Sequence, residues 1–130
     1  MRTWITALAI ATALLAWSGT AQADATQMWR CEMDDDATEE DVKEGARNWL
    51  KAARGMEGGE RLKAYVHFPV AVNAMGQTDV VFVVVAPSFQ EWGKFWDGYA
   101  GSPADQADIQ NQKVICPDSA LWESIEVKVE

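Results

Sequence analysis

The 130-residue sequence has few of the residues on which most catalytic and metal sites depend. It has one histidine, His67, and two cysteines, and it has no glycine-rich phosphate loop and no metal-ligand motif. A serine triad would have to be built around His67 alone, and a lone histidine in a strand is more often a structural residue. The sequence therefore predicts no metal site and no cofactor. It leaves open whether the protein is an enzyme.

Positive charge is also scarce. The 11 Lys and Arg residues are outnumbered by 20 Asp and Glu residues, which gives a formal net charge of −9 at pH 7. A surface of this sign repels nucleic acid and anionic membranes, so neither is an expected partner. Beyond residue 23 no apolar run is long enough to cross a bilayer, and we expect no membrane span in residues 24–130.

The first 23 residues have the pattern of a secretory signal peptide. Arg2 provides a short positive start, residues 4–17 form an apolar run, and an A-x-A cleavage site ends at Ala23. We expect cleavage after Ala23 and a mature protein in a periplasm or in the extracellular medium. Residues 24–130 suit a single domain. Their formal charge is −9 − 1 = −10, because Arg2 is the one charged residue of the leader.

Both cysteines, Cys31 and Cys116, lie in the mature part of the chain. An even number of cysteines in an exported domain favours a disulfide, because that compartment oxidises thiols. The alternative is a reactive thiol with a neighbouring base, and nothing in the local sequence supports it. We expect a bond between Cys31 and Cys116.

The central stretch of the sequence is a buried strand followed by an aromatic helix. Residues 80–86 (VVFVVVA) are apolar without alternation and rich in β-branched side chains, which favours a strand buried on both faces. Ser88 then fits an N-cap with Glu91 three residues later. At 100° per residue, the helix gathers its aromatic rings into one stripe. The rings are those of Phe89, Trp92, Phe95, Trp96 and Tyr99.

A strand and a helix precede this stretch. The strand covers Gln27 to Met33, with Trp29, Cys31 and Met33 on one face. The helix runs from Glu39 to Arg54, and Thr38 is its predicted cap. The acidic residues in its first turn complement the positive end of the helix dipole, which explains them better than a calcium site does.

A second strand is predicted from Arg61 to Asn73, where apolar and polar side chains alternate. Pro69 lacks an amide donor and therefore confines this strand to a sheet edge. The residues from Ala74 to Thr78 then form a hairpin turn that leads into residues 80–86.

The last part of the chain is predicted to form a short surface helix and an edge strand. The helix covers Ala104 to Gln112, with Ser102 as its cap and Pro103 at its first position. Residues 114–120 lead into the strand from Leu121 to Glu130, whose alternating charges are typical of an edge.

The predicted order is strand, helix, strand, strand, helix, strand, with the short helix before the last strand. This β-α-β-β-α-β order is the ferredoxin-like arrangement, an α+β two-layer sandwich with an antiparallel sheet in the order 4-1-3-2. The strand that this order places inside the sheet is the apolar one, and the strands that it places at the edges carry Pro69 and the alternating charges.

At this level the chain resembles the dimeric α+β-barrel group of ferredoxin-like proteins. The resemblance rests on the apolar strand 80–86, the helix WGKFWDGY after Ser88 and the closing strand LWESIEV. It implies a pair of sheets that close a barrel and a cleft between helices and sheet, which some members use as cofactor-free oxygenases or haem-degrading enzymes. Their clefts use Asn, Trp and His, but neither His67 nor Asn73 matches a motif position, so no catalytic role carries over.

Two classes of function follow. The favoured one is a non-enzymatic exported module that acts through assembly or partner contact. The alternative is a small protein or enzyme that takes an apolar or aromatic molecule beneath the helices. For that alternative, the predicted lining residues are Trp49, Trp92, Trp96 and Tyr99.

We also expect a homodimer joined through its sheets. Residues 80–86 present apolar side chains to both faces of the sheet, yet the two main helices can cover only one face. A second copy is the simplest cover for the other face.

Overall fold

The computed structural model describes residues 23–71 and 79–129. Within these ranges the chain forms β1 (Asp24–Met33), α1 (Glu39–Ala53), β2 (Lys63–His67), β3 (Val80–Ala86), α2 (Phe89–Asp97), α3 (Pro103–Gln110) and β4 (Val114–Ser124). The predicted signal peptide up to residue 22 and the predicted turn 74–78 lie outside the described residues.

The four strands form one antiparallel sheet in the order β2-β3-β1-β4. This is the predicted order 4-1-3-2 counted from the other edge, so the ferredoxin-like α+β fold is confirmed. The helices pack on one face of the sheet, where Trp49 of α1 contacts Phe82 of β3 and Trp96 of α2 contacts Trp29 of β1.

The helices begin where the sequence predicts. The Thr38 hydroxyl accepts a hydrogen bond from the Asp41 amide at 3.2 Å, and the Asp41 carboxylate accepts one from the Thr38 amide at 2.9 Å. The Thr38 amide and the Thr38 hydroxyl both donate to the Asp41 carboxylate and lower the pKa of that carboxyl, because they favour its charged form. The hydroxyls of Ser88 and Ser102 cap α2 and α3. Local capping chemistry is therefore enough to locate the helix starts.

Phe95 lies at the centre of the core and is fully buried. The rings of Trp49, Trp96 and Tyr99 surround it, with centroids 5.3–5.8 Å from its own. One expected member of the aromatic stripe does not belong to the core. Phe89 is 43% exposed, because it is the first residue of α2 and lies at the outer end of the stripe.

The predicted bounds of the last strand are wrong. β4 covers Val114–Ser124 instead of residues 121–130, and the segment expected as its lead-in is its first half. The reason is pairing: Ser124 lies opposite Asp24, the first residue of β1, so residues beyond Ser124 have no partner on β1. Pro117 is tolerated because β4 is an edge strand and its register with β1 shifts between Arg30 and Glu32.

The second strand is also shorter than predicted. β2 covers Lys63–His67 instead of residues 61–73, and its last pair with β3 is His67 opposite Val81. Its position at the sheet edge and its alternating burial agree with the prediction. Pro69 lies two residues beyond the observed end of β2.

The face of the sheet opposite the helices carries large apolar side chains, and no helix among the described residues packs on it. Paired residues of antiparallel strands share a face, and Trp29 and Phe82 face the helices. Their neighbours along each strand therefore face the open side. Two large side chains stay substantially exposed there, namely Tyr65 at 47% and Trp122 at 55%. No helix within the described ranges has the length and apolar character needed to span a bilayer.

Candidate functional site

A cavity of about 470 Å³ lies between the helices and the sheet. Its sheet wall comes from β1, β3 and the first residues of β4, and its helical wall comes from α1, α3 and the end of α2. The volume falls in the range of roughly 300–1,000 Å³ that is usual for small-molecule sites. Aromatic side chains supply much of the lining. They are Trp29, Trp49, Phe82, Trp96 and Tyr99, which we call the aromatic box.

The rings of the aromatic box support one another. Trp29 lies 5.7 Å from Phe82 and 6.0 Å from Trp96, measured between ring centroids. Trp49 meets Phe82 edge to face at 5.4 Å, and Trp96 lies 4.4 Å from Tyr99. Aromatic pairs at such separations hold one another in fixed orientations. The walls of the cavity are therefore preformed from residues on four separate elements and the turn that follows α2.

Tyr99 combines an apolar ring with a polar group that is already oriented. Its hydroxyl oxygen accepts a hydrogen bond from the Trp49 indole N–H at 3.1 Å. Burial is the main cause that raises the pKa of Tyr99 to about 12; the hydrogen bond from Trp49 lowers it, and the negative charges of Asp108 and Asp105 contribute to the rise. The phenol is therefore neutral at physiological pH, and its O–H remains a hydrogen-bond donor.

Polar groups gather at the mouth of the cavity, where α1 meets α3. Asp108 and Asn111 line it at the C-terminal end of α3. Burial raises the pKa of the Asp108 carboxyl, and the charge of Asp105 adds to this shift. Gly45 lets α1 approach closely, because a Cβ at that position would collide with the Asn111 side chain. One acidic side chain therefore lies among the polar groups at this end of the cavity.

A disulfide between Cys31 and Cys116 forms part of the wall and confirms the predicted pairing. It joins β1 to β4 at the register shift between these strands. Cys31 is buried and Cys116 is exposed. The bond therefore closes the cavity on the side of the edge strand.

The structure brings together three of the four predicted site residues. Trp49, Trp96 and Tyr99 line the cavity. Trp92 does not: it packs against the core, and its indole N–H is buried without a partner among the described residues. His67 is exposed on the open face of the sheet, 6.4 Å from the Tyr65 ring.

The lining residues that the sequence analysis missed include Trp29, Phe82 and Asp108. Trp29 and Phe82 could have been found, because strand alternation combined with the order 4-1-3-2 places both on the helix-facing side of the two central strands. No sequence pattern pointed to Asp108, because the surface helix that carries it has almost no apolar stripe.

The sequence matches no known protein family and no curated protein. Solved structures share its fold. A protein from Arabidopsis thaliana has a TM-score of 0.55 at 11% identity over 82% of this chain and 99% of its own. A chlorite dismutase-like protein has a TM-score of 0.52 at 12% identity over 80% of this chain and 44% of its own. A dimeric ferredoxin-like protein of unknown function from Thermobifida fusca has a TM-score of 0.49 at 11% identity over 78% of this chain and 92% of its own.

These likenesses confirm the resemblance to ferredoxin-like proteins at the level of fold. The fold occurs in the Arabidopsis protein and in the chlorite dismutase-like protein. Because one fold supports many chemistries, the function has to be argued from the cavity.

Proposed function

We propose that this protein binds a small apolar or aromatic molecule in the cavity between its helices and its sheet. The observation that supports this most strongly is the aromatic box, whose five side chains line a cavity of about 470 Å³. Planar aromatic walls bind flat apolar ligands by stacking and by excluding water. The few polar groups at the mouth would orient the bound molecule.

Binding is better supported than catalysis. The one histidine of the chain, His67, lies on the other face of the sheet and cannot act as a base in the cavity. The Tyr99 phenol has a raised pKa, which makes it a poor general base near neutral pH. The remaining polar groups at the mouth, Asp108 and Asn111, suit recognition.

The lining does not fit haem, which the resemblance implies for some members of the group. No histidine, lysine or arginine lies among the described residues that line the cavity, so neither the iron nor the haem carboxylates would meet a matching side chain. The remaining axial candidate is Tyr99. Its phenolate is disfavoured, because its pKa is raised to about 12.

A neutral indole, tryptophol, tests the proposal by calorimetry. We expect the wild-type protein to bind it and the Trp96→Ala variant to lose at least tenfold in affinity, because a stacking wall is removed. Phe89→Ala is the matched control, since Phe89 is an aromatic residue of the same helix that lies outside the cavity. Equal affinity in all three proteins, or no binding to the wild type, would contradict the proposal.

The open face of the sheet supports a second part of the proposal, a homodimer. Tyr65 and Trp122 are large side chains that water reaches in a single chain. A second copy would cover them with the same surface, as two-fold symmetry requires. Light scattering should give twice the monomer mass, and a stable monomer at micromolar concentration would refute this part.

We propose further that the protein is exported. The leader pattern supports this, and the disulfide is compatible with an oxidising compartment. Cleavage after Ala23 would leave β1 intact, because that strand begins at Asp24. Mass spectrometry of protein recovered from an exporting host should find Asp24 as the first residue. Full-length protein that retains residues 1–23 would contradict export.

A further inference from the structure

The cavity has one acidic wall residue. Asp108 is the only carboxyl group among the described lining residues, and no lysine or arginine lies among them. Within residues 23–71 and 79–129 its carboxyl forms no ion pair and no side-chain hydrogen bond. An acidic group therefore lies beside the aromatic box without a counter-ion among the described residues.

The position of Asp108 is unfavourable for the fold itself. It lies in the last turn of α3, which contains no basic residue, and the C-terminal end of a helix carries partial negative charge. Asp105, one turn earlier on α3, adds repulsion, and partial burial removes water. Desolvation and the charge of Asp105 raise the pKa of the Asp108 carboxyl. An asparagine would suit the helix end better, although the exposed position of Asp108 lets water solvate its carboxylate.

We propose that the ligand of this cavity is an organic cation, with its body in the aromatic box and its positive end against Asp108. This inference rests on the proposed binding function and specifies its ligand. Aromatic faces attract a cation through their quadrupole, and indole is the strongest of the natural side chains in this respect. Trp29, Trp49 and Trp96 all line the cavity. A desolvated ammonium group would then also meet a carboxylate, the counter-ion that it lacks once water is removed.

An anionic ligand fits the same site poorly. A carboxylate or phosphate would meet the charge of Asp108 with no cationic side chain in the lining to offset it. The formal net charge of residues 24–130, −10, also repels an anionic ligand, and it does so at longer range. A neutral aromatic molecule would use the box but would leave Asp108 without a counter-ion.

Three indoles that differ in charge test this inference by calorimetry at pH 8 and at one ionic strength. They are tryptamine, which is a cation, tryptophol, which is neutral, and indole-3-acetate, which is an anion. We expect tryptamine to bind about tenfold more tightly than tryptophol, and indole-3-acetate to bind most weakly. Equal affinities, or tighter binding of the anion, would overturn the inference.

Asp108→Asn should abolish the preference without harming the fold. We expect the affinity ratio of tryptamine to tryptophol to fall to within about twofold, while the melting temperature rises by about 2 °C as the helix end loses an unfavourable charge. Asp97→Asn is the matched control. It makes the same change at the last residue of α2, at a surface recess separate from the cavity. It should leave the ratio unchanged.

The outcomes separate this inference from the binding function on which it rests. Binding of tryptophol without a preference for tryptamine would overturn the cation assignment and leave the binding function standing. Failure of all three indoles to bind at millimolar concentration would overturn both. A ratio that Asp108→Asn leaves unchanged would remove Asp108 from the recognition of the cation.

Discussion

Breaking the disulfide should cost this protein a large share of its stability. Cys31 and Cys116 are separated by 85 residues, so the bond restricts most of the unfolded chain. The chain-entropy relation for a loop of that length gives about 15 cal/mol/K, or about 4.6 kcal/mol at 25 °C. The whole stability of a domain is roughly 5–15 kcal/mol. The reduced protein should therefore be only marginally stable.

The assay compares thermal unfolding of the oxidised protein with and without a phosphine reductant. For a mature domain of 107 residues, an unfolding entropy of about 2.1 cal/mol/K per residue converts 4.6 kcal/mol into a fall of about 20 °C. The control is the double variant Cys31→Ala, Cys116→Ser, which places the apolar residue at the buried position and the polar one at the exposed position. It should melt near the reduced wild type and should not respond to the reductant.

A fall of less than about 5 °C would refute this reasoning, because it corresponds to about 1 kcal/mol. It would mean that the unfolded chain is already compact between β1 and β4, or that strand pairing alone holds the edge strand. Two free thiols in the denatured, unreduced mature protein would refute the disulfide itself.

Three further predictions follow from the packing of the aromatic residues and from the open face of the sheet. Trp92→Ala should lower the free energy of unfolding by about 3 kcal/mol in chemical denaturation and leave tryptophol affinity unchanged, because Trp92 packs in the core outside the cavity; a loss of affinity would place it in the site. In a Tyr65→Phe protein, absorbance titration should find the pKa of Tyr99 near 12. The folded state then holds the phenolic proton more tightly than the unfolded chain does. The contribution of the Tyr99 phenol to the free energy of unfolding is therefore intact below pH 10 and is lost as the pH rises towards 12. A Tyr99 titration near 10 would contradict the burial. Trp122→Glu should halve the mass measured by light scattering, because it places a charge in the proposed interface. Val129→Glu, at an exposed position beyond β4, should leave the mass unchanged. A dimer that survives Trp122→Glu would exclude the open face as the interface.

Much of the fold could be predicted because its signals are local. Each helix is capped by a hydroxyl that accepts a hydrogen bond from the amide three residues later, at Thr38, Ser88 and Ser102. Such motifs depend on neighbouring residues alone. The unbroken apolar run of β3 indicated a central strand for the same reason. The topology then followed from the order of the elements.

The strand ends depended on pairing, which local sequence does not encode. Residues 125–129 alternate like a strand, yet β1 has no residue left to pair with them beyond Asp24. At the other end, Pro117 reads as a strand breaker until the register shift against β1 is known. Pairing partners far apart in sequence decide both points.

The aromatic walls of the candidate site could be predicted from the sequence, but its polar group, Asp108, could not. Trp49, Trp96 and Tyr99 follow from helical periodicity, and Trp29 follows from strand alternation once the order of strands is known. Trp92 shares that helical periodicity but packs away from the cavity, because rings on one stripe divide between core and cavity according to what faces them. Asp108 becomes meaningful only through its position beside the aromatic box.

The most direct test of the binding site is a nuclear magnetic resonance titration of the indole N–H groups. Residues 24–130 contain five tryptophans, each with one indole N–H signal in protein of this length labelled with nitrogen-15. On addition of unlabelled tryptophol, we expect the signals of Trp29, Trp49 and Trp96 to shift, because these residues line the cavity. The signals of Trp92 and Trp122 should stay in place. Shifts confined to Trp122 would place binding on the open face of the sheet, and no shift in any of the five would contradict the proposed site.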